Sequence, residues 1–485
     1  MKRNLALIRI AEWQVGLTAA LAWGIWSRQL PRGVAGEWEW KRVDSPPGLL
    51  DIVPAVLVVV AYAALAAGLS RWLRARESKR RKVAAVCVLF VAGLATQTLA
   101  PIGAPYAYGP AKSPLVVYYP SISGYYTFGK KIDDPWRFLA EYPEWIKKQD
   151  SMHIGTHPPG LFLSERLLLG FFQAHDGAAR LVIRLTPDPP RQGLNMIRRF
   201  DPLPLADGAL LIATAAAAIF CSVAAIFPLY LLVRATHGPA AAWSAAAIWP
   251  LVPASILFQP VSDIAFPLLS TTALACAAWS SRRDRGGRTL AALAGVVLAV
   301  GMQFTLAFLP VGVIVAGMYV LEPGRAWRRR ALLIAAVGAG FLVVTLAVWA
   351  VTAANPFAIW WANQANHARF YHEYPKTYWR WVLENPFELA ASVGIPAAVW
   401  MIFGLRGGPR VAWLTLAMLA FLTIGGRSLS EVARLWILFY PALLAAAGAG
   451  MERLRAGPWS LAITIALQGL QVVALQALIQ VSMNF

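Results

Sequence analysis

Long apolar runs separated by short polar loops dominate the chain. A membrane-spanning helix needs about 20 largely apolar residues, and thirteen runs approach or exceed that length. They lie at 5–27, 49–70, 83–103, 206–233, 240–258, 261–280, 289–303, 305–322, 331–353, 389–405, 411–425, 436–451 and 458–482. The pattern predicts an all-α polytopic membrane protein with about thirteen transmembrane helices.

Five of the short loops between these runs are basic. The loop 71–82 holds seven basic residues and one acidic residue. The other four are 281–288, 324–330, 406–410 and 452–457. With thirteen spans and a cytoplasmic N-terminus all five fall in the cytoplasm, as the positive-inside rule requires. The first run lacks a small-residue cleavage site, so we interpret it as a retained helix. We expect a bacterial inner (plasma) membrane protein.

Four remaining polar segments then share the outer, periplasmic face. They are 28–48, 104–205, 354–388 and 426–435. The second of them carries twelve basic and nine acidic residues and is too long for a simple connector. We expect it to fold as juxtamembrane helices on the outer surface. The predicted organisation is an N-terminal transmembrane hairpin (1–82), a core (83–450) and a C-terminal transmembrane helix (451–485).

The composition agrees with a membrane protein. Hydrophobic residues make up 58% of the 485 residues and charged residues 14%, against about a quarter charged in soluble domains. The net charge of +20 is explained by the basic loops, so we expect no nucleic-acid partner. Cys87, Cys221 and Cys276 lie in apolar runs, without the spacing of a metal site or a disulfide framework.

The stretch MHIGTHPPG (152–160) places two histidines in the long outer segment. On a helix, His153 and His157 could bind zinc from one face, but Pro158 disfavours helical geometry at His157. The prolines suit the first turn of a helix, which we predict over residues 158–175. His157 would then lie at a helix N-terminus, which attracts anions. A histidine that only satisfies nearby backbone groups fits these residues equally well.

This His-Pro-Pro, in the first large outer loop of a chain with so many spans, resembles the GT-C superfamily. These membrane glycosyltransferases use polyprenyl-phosphate sugars and include the protein O-mannosyltransferase and aminoarabinose-transferase types. Three further stretches are similar to segments of that superfamily: QPVSDIAFPLLS (259–270), MQFTLAFLP (302–310) and SLSEVARLWILFYP (428–441). The similarity covers roughly 83–450. It implies a GT-C-like fold and transfer of a sugar from a polyprenyl-phosphate-linked donor to a lipid, glycan or protein acceptor.

The chain departs from the superfamily in its first large loop. Members usually carry an acidic residue, often Asp-Glu, ahead of the His-Pro-Pro, whereas the corresponding stretch SISGYYTFGKK (121–131) has none. We expect its tyrosines, Tyr125 and Tyr126, to face the substrate cavity. The outer loop of the N-terminal hairpin contains GEWEWKRVD (36–44). That loop could supply the missing carboxylate.

Sugar transfer needs a group that takes the acceptor's proton and a carboxylate that faces the developing oxocarbenium ion. The candidates are Glu37, Glu39, Asp133, Asp134 and His157. In an extended chain Glu37 and Glu39 point to one side and the adjacent tryptophans to the other. The alternative is an aromatic belt with two solvated acids. Asp133 and Asp134 precede Pro135 and could instead cap a surface helix.

Cations must stabilise the charge on the departing phosphate. Arg427, Glu431 and Arg434 stand at i, i+4 and i+7, which predicts one helical face. Arg434 adjoins an apolar run, where a charge needs a partner, and a guanidinium can donate two parallel hydrogen bonds to a lipid phosphate. We predict that these three residues bind the donor phosphate. A purely structural pair of Glu431 and Arg434 is the alternative.

Other polar residues are predicted to line the same cavity: His153, Asp263, Asn366 and His367. Asp263 stands at the outer end of a span and could instead cap the helix, which the sequence favours. The aromatic stretch 360–381 suits sugar binding and a membrane-surface belt equally. A divalent cation, Mg²⁺ or Mn²⁺, could assist departure of the phosphate, but the sequence identifies no ligand set for it.

Two other classes of function remain open. A transporter or lipid flippase favours internal repeats and ionisable residues within its spans, yet the halves show no repeat and the spans are nearly free of charge, Glu12 excepted. A non-catalytic relative that binds polyprenyl lipids would explain the missing acid. Because the polar chemistry is concentrated on one face, glycosyl transfer is the leading hypothesis.

Overall fold

The N-terminal part of the chain forms a helical hairpin with small strands in its connecting loop. The computed structural model describes residues 2–30, 33–75, 78–105, 108–151 and 154–480. The first elements are α1 (Lys2–Trp26), β1 (Gly33–Val34), β2 (Trp38–Glu39), β3 (Lys41–Arg42), α2 (Leu49–Ala75) and α3 (Lys79–Leu99). Strands β1 and β2 pair antiparallel, with Val34 opposite Trp38.

The long polar segment that follows forms short helices, as its sequence predicts. They are α4 (Lys112–Tyr118), α5 (Tyr125–Gly129), α6 (Pro135–Ile146), α7 (Gly160–Ala174), α8 (Asp176–Leu185) and α9 (Asp188–Arg198). The Asp134 carboxylate caps α6 by accepting from the backbone N–H of Trp136 at 2.8 Å and of Arg137 at 3.3 Å. Helix α7 begins directly after the two prolines. Both predicted helix starts are confirmed.

The remaining elements are helices apart from one short strand. They are α10 (Leu205–Ala224), α11 (Ile226–Thr236), α12 (Pro239–Ile248), α13 (Pro253–Leu257), α14 (Phe266–Arg282), α15 (Gly287–Gly301), α16 (Phe308–Val320), α17 (Trp327–Thr352), α18 (Pro356–Glu373), α19 (Tyr378–Val393), α20 (Ile395–Leu405), α21 (Arg410–Ile424), α22 (Val432–Leu435), α23 (Tyr440–Arg453), α24 (Pro458–Leu478) and β4 (Ile479–Gln480). A 3-10 turn, Ser262–Ala265, precedes α14.

Within the described ranges, eight helical segments are long and apolar enough to cross a membrane. They are Asn4–Trp26, Leu49–Ala75, Lys79–Gly103, Leu205–Thr236, Pro239–Leu257, Ser262–Arg282, Trp327–Thr352 and Pro458–Leu478. Helices α19 and α20, bent by 106°, would make a ninth. The chain is therefore an all-α membrane protein.

The other predicted spans correspond to shorter helices. Helices α15, α16, α21 and α23 have 15, 13, 15 and 14 residues. At 1.5 Å per residue, about 15 residues reach roughly 22 Å, less than the ~30 Å hydrocarbon layer. The count of thirteen spans therefore stays a prediction.

The described residues of the four predicted outer segments lie together in space, and we call them the polar end. They are 28–30, 33–48, 104–105, 108–151, 154–205, 354–388 and 426–435. Hydrogen bonds join these segments: Thr377 N to Glu37 Oε1 (3.0 Å), Asn363 Nδ2 to His157 O (3.0 Å) and Leu429 N to Tyr371 Oη (3.1 Å). Although they are far apart along the chain, these segments build one surface.

The basic loops contact one another at the opposite end, the basic end, residues 71–75, 281–288, 322–330, 406–410 and 452–457. The contacts include Arg410 to Glu322 (3.3 Å), Arg453 to the Arg406 carbonyl (2.5 Å) and Arg74 to the Ala456 carbonyl (2.9 Å). Helix α2 leads from the polar end to Arg74, and its 27 residues reach about 40 Å. The two groups of loops thus lie on opposite sides of a bilayer-thick bundle.

We expect labelling to reveal the predicted orientation. The labelled protein lacks the native cysteines and carries Ser45→Cys at the polar end. In intact cells a membrane-impermeant maleimide should modify this cysteine, since the polar end is predicted to be periplasmic. Arg285→Cys at the basic end should react only after permeabilisation. Reaction of Arg285→Cys alone in intact cells would show the reverse orientation. Reaction of both in detergent is the control.

Candidate functional site

A cavity of about 460 Å³ lies at the polar end. Its polar wall contains His157, Asp263, His367, Arg427 and Arg434. These side chains come from four separate parts of the chain: the approach to α7, the turn before α14, helix α18, and the segment from α21 to α22. All five were predicted from the sequence to belong to the site, and the structure brings them around one space.

The opposite wall of the cavity is apolar. It includes Leu306 and Leu309 from the start of α16, Leu422 from the end of α21, and Leu438 and Phe439 after α22. Leu309 is 51% exposed. The cavity is thus bordered by one leucine from α16 and one from α21.

Two carboxylates compensate the Arg434 charge. The guanidinium lies 2.7 Å from Glu431 Oε2 and 3.9 Å from Asp263 Oδ2, and the Arg434 side chain is only 15% exposed. The predicted pairing of Glu431 with Arg434 is confirmed. A charge this deeply placed would be costly without carboxylates at close range.

The predicted helical face of Arg427, Glu431 and Arg434 is wrong. The chain leaves α21 at Ile424 and resumes helix only at Val432. Ser430 and Glu431 have φ of +74° and +52°, in the left-handed region. Two such residues in a row interrupt any helix, and strain of this kind concentrates at functional sites. Arg427 lines the cavity from the irregular segment instead.

Asp263 does not cap a helix, although the sequence favours that role. The turn Ser262–Ala265 has Val261 at its N-cap and no side-chain cap. The Asp263 carboxylate instead faces Arg434 in the cavity. Because the guanidinium attracts the carboxylate over 3.9 Å, the side chain is drawn into the cavity and away from the backbone of α14.

The His-Pro-Pro-Gly stretch is fixed from both sides. The Gly160 N–H donates to the Gln303 carbonyl at 2.9 Å, and a Cβ on Gly160 would come within 2.3 Å of that oxygen. The His157 carbonyl accepts from the Tyr142 hydroxyl and from Asn363 Nδ2. The backbone contacts therefore hold the histidine ring at the cavity.

Tyr125 and His367 complete the surroundings of His157. The Tyr125 ring packs edge-on against the His157 ring, with centroids 5.5 Å apart. Burial, together with the charges of Arg427 and His157, lowers the pKa of His367 below its ordinary value. The lowered pKa favours the neutral form of the His367 imidazole. His153 lies outside the described residues.

Asn366 supports the loop without lining the cavity. Its Nδ2 donates to the Ile146 carbonyl at 2.7 Å and to the Gly155 carbonyl at 3.2 Å. Tyr126 also lies elsewhere: its hydroxyl donates to Asp207 at 2.6 Å, and Lys130 bonds the same carboxylate at 2.7 Å. Both side chains bind other parts of the protein.

Glu37 caps helix α19 from a distant part of the chain. Its carboxylate accepts from the Thr377 N–H at 3.0 Å and from Trp381 Nε1 at 2.6 Å. Burial raises the pKa of this carboxyl, but the hydrogen bonds from Thr377 and Trp381 outweigh burial and lower it overall. Glu37 is held ionised, outside the residues that line the cavity.

The other three predicted acids also lie away from the cavity. Glu39 is exposed on β2. Asp134 caps α6, and Asp133 beside it lines a separate depression that also contains Lys131 and Arg137. In this conformation none of these carboxylates shares a space with Arg434.

The sequence analysis does not identify Glu388, which supports the segment that carries Arg427 and Arg434. Glu388 Oε1 accepts from Trp40 Nε1 at 3.2 Å and from the Ala433 N–H at 3.1 Å. Trp40 is buried in the protein rather than at the lipid interface. An acid directly before a predicted apolar span was the available signal, because such an acid needs partners.

The described part of the site contains no preformed ligand set for a divalent cation. Across the residues that the structure describes, no three His, Cys, Asp or Glu side chains are grouped so that they could hold a metal ion. Asp263 and Glu431 already share the Arg434 guanidinium. We therefore assign no step to a metal.

We expect Glu388→Ala to destabilise the polar end. The change leaves two buried donors, Trp40 Nε1 and the Ala433 N–H, without their acceptor, at a cost of about 1–3 kcal/mol each. Thermal unfolding of the purified protein should show a lower Tm. Glu388→Gln keeps an acceptor oxygen and should retain most of the stability. Equal Tm values for Glu388→Ala and the parent would contradict this bracing role.

Comparisons with known proteins give little further information on the site. No family model matches the chain, and no curated protein sequence matches it. Among solved structures, the chain is similar to the Archaeoglobus fulgidus oligosaccharyltransferase, crystallised with zinc and sulfate, at a TM-score of 0.32 and 14% identity. The match covers 70% of this chain and 49% of the other, so this chain spans about half the length of that protein. A likeness this low does not define the activity of the chain.

Proposed function

We propose that the protein transfers a sugar from a polyprenyl-phosphate-linked donor to an acceptor at the polar end. The observation that carries the proposal is the cavity of about 460 Å³, which joins a charged wall to an apolar wall. A lipid-linked sugar has the same division, with a polar sugar phosphate on an apolar chain. The sequence resemblance to GT-C glycosyltransferases points to the same donor class.

The apolar wall suits the lipid chain of the donor. Leu309 and Leu422 border the cavity on the side of α16 and α21. On the adjoining face of α21, Phe421 and Ile424 are 68% and 64% exposed. A polyprenyl chain could leave the cavity between these helices and enter the bilayer without crossing a polar surface.

Arg427 is the cation available to the donor phosphate. Arg434 is already balanced by two carboxylates, whereas no ion pair links Arg427 to any carboxylate in the described chain. Arg427 is also exposed to the cavity. A guanidinium can donate two parallel hydrogen bonds to a phosphate, and Arg427 can do so without breaking an existing pair.

Asp263 is placed to accept the acceptor's proton. It is the one carboxylate on the cavity wall in the described residues. The acceptor's hydroxyl or amine attacks the anomeric carbon, the bond from that carbon to the phosphate oxygen breaks, and the lipid phosphate leaves with the bonding electrons. The acceptor's proton passes to the Asp263 carboxylate, which also faces the positive charge on the sugar ring. Arg434 fixes the orientation of Asp263.

We expect Arg427→Ala to raise the Kd for undecaprenyl phosphate about 10- to 100-fold. This ratio corresponds to the free energy that a hydrogen bond to a charged group contributes. Binding is measured on the purified protein in nanodiscs. The Tm should be unchanged, because the Arg427 side chain makes no ion pair or hydrogen bond with the described residues. Arg434→Ala should instead lower the Tm, since it leaves two carboxylates unpaired. Absence of undecaprenyl phosphate binding by the parent protein would refute the donor class.

We expect Asp263→Asn to lower turnover about 100-fold or more, the usual contribution of a general base. Undecaprenyl phosphate should still bind, because the amide keeps the shape of the side chain. Asp133→Asn is the matched control: it removes a carboxylate of the same polar end that lies outside the cavity, and turnover should persist. Loss of turnover in Asp133→Asn but not in Asp263→Asn would overturn the assignment.

A further inference from the structure

A second cavity, of about 380 Å³, lies at the basic end, on the side of the protein away from the proposed active site. It is formed by residues 281–288, which join α14 to the first turn of α15, and by residues 324–330, which lead into the first turn of α17. Arg283, Arg288, Arg328 and Arg329 line it, and Leu332 and Leu333 close its apolar side. Neither the reaction nor the bracing of the polar end involves these residues.

The two loops carry a large excess of positive charge. Together they contain eight arginines and one acid, Asp284, which gives a net charge of 8 − 1 = +7. Asp284 is already bonded to Arg329 and lies 3.6 Å from Arg325. In the part of the chain that is described, Arg288 and Arg328 have neither an ion pair nor a hydrogen bond.

Other basic loops use their arginines differently. Arg453 donates to the Phe403 and Arg406 carbonyls, and Arg74 donates to the Ala456 carbonyl. These side chains tie loops of the protein to each other. Arg288 and Arg328 make no such hydrogen bond with the described residues, although both face one cavity. The positive-inside rule explains basic loops in general but not the convergence of unpaired arginines from two loops on one space.

The frame of this cavity is fixed. Arg325 donates to the Ser281 carbonyl at 3.2 Å and Arg329 to the Arg283 carbonyl at 2.9 Å, so the two loops are joined. Beneath them α15 and α17 pack closely: a Cβ on Gly295 would come within 1.9 Å of the Val337 carbonyl oxygen. Small residues at such contacts let membrane helices approach. The backbone positions of the arginines are therefore set before a ligand binds.

The surface next to the arginines is apolar and faces outward. Trp327, at the start of α17, is 66% exposed, as is typical of tryptophan at the headgroup level of a bilayer. Further along, Val343 and Leu346 of α17 are 66% and 50% exposed, and Leu293 of α15 is 44% exposed. A ligand bound by the arginines would thus meet a hydrocarbon-facing surface directly below them.

We propose that this cavity binds the phosphate headgroup of an anionic membrane phospholipid. Arg288 and Arg328 donate hydrogen bonds to the phosphate oxygens. The acyl chains lie past Leu332 along the exposed faces of α15 and α17. Basic pockets between membrane helices recognise anionic headgroups in this way. The site is independent of the proposed glycosyl transfer, and the ligand is a structural lipid that anchors the basic end.

The test is native mass spectrometry of the full-length protein, purified in detergent and mixed with equal amounts of phosphatidylglycerol and phosphatidylcholine. The parent protein should retain phosphatidylglycerol preferentially. The double variant Arg288→Gln/Arg328→Gln should lose about tenfold in phosphatidylglycerol affinity, since each basic residue near an anionic surface contributes to its attraction. Lys79→Gln/Arg80→Gln is the matched control, because it removes two charges from the first turn of α3, outside the cavity, that have no ion pair or hydrogen bond among the described residues.

Retention by the control and loss by the Arg288/Arg328 variant would support the site. Equal loss in both double variants would show diffuse attraction and overturn it, as would equal retention of the two lipids by the parent. Inorganic phosphate distinguishes the source of the ligand. If phosphate alone displaces the lipid at equimolar concentration, the acyl contacts contribute nothing and the lipid assignment is wrong. Undecaprenyl phosphate binding at the polar end should be the same in all three proteins.

Discussion

The polar end depends on one interaction, the Arg434 guanidinium held between Glu431 and Asp263. A charge at the edge of the bilayer needs opposite charges within a few ångströms. Two such charges are present. Glu431 follows Ser430 in a left-handed turn of the backbone, and Asp263 comes from the turn before α14. Tyr125 lies against this cluster and against His157. The ion pairs of Arg434 thereby position the residues that line the polar wall of the cavity.

The predictions that hold are those that depend on neighbouring residues. Hydrophobic length is a local property, so eight of the expected spans are present among the described residues. The cap at Asp134 and the start of α7 follow from two or three consecutive residues. The pair of Glu431 and Arg434 also lies within one turn of chain. Each of these features could be derived from the sequence because the interacting groups are close along it.

The features that could not be derived are tertiary. Ser430 and Glu431 are ordinary residues for a helix, and nothing in their sequence indicates left-handed backbone. Asp263 leaves its expected helix cap because an arginine from a distant segment attracts it. The spacing of Glu37 and Glu39 predicts an extended stretch, which β2 partly bears out. It carries no information that Glu37 meets Thr377, since that contact joins residues 340 positions apart.

The pairing of β3 with β4 constrains how the protein is made. Lys41 lies opposite Gln480, so a strand that leaves the ribosome first waits for nearly the whole chain before it finds its partner. Contacts of such long sequence separation form late and slowly. The Trp40 indole, which donates to Glu388, likewise finds its partner only after a long stretch of chain has been made. The pair of β3 and β4 can therefore form only after α24, which directly precedes β4, has been made.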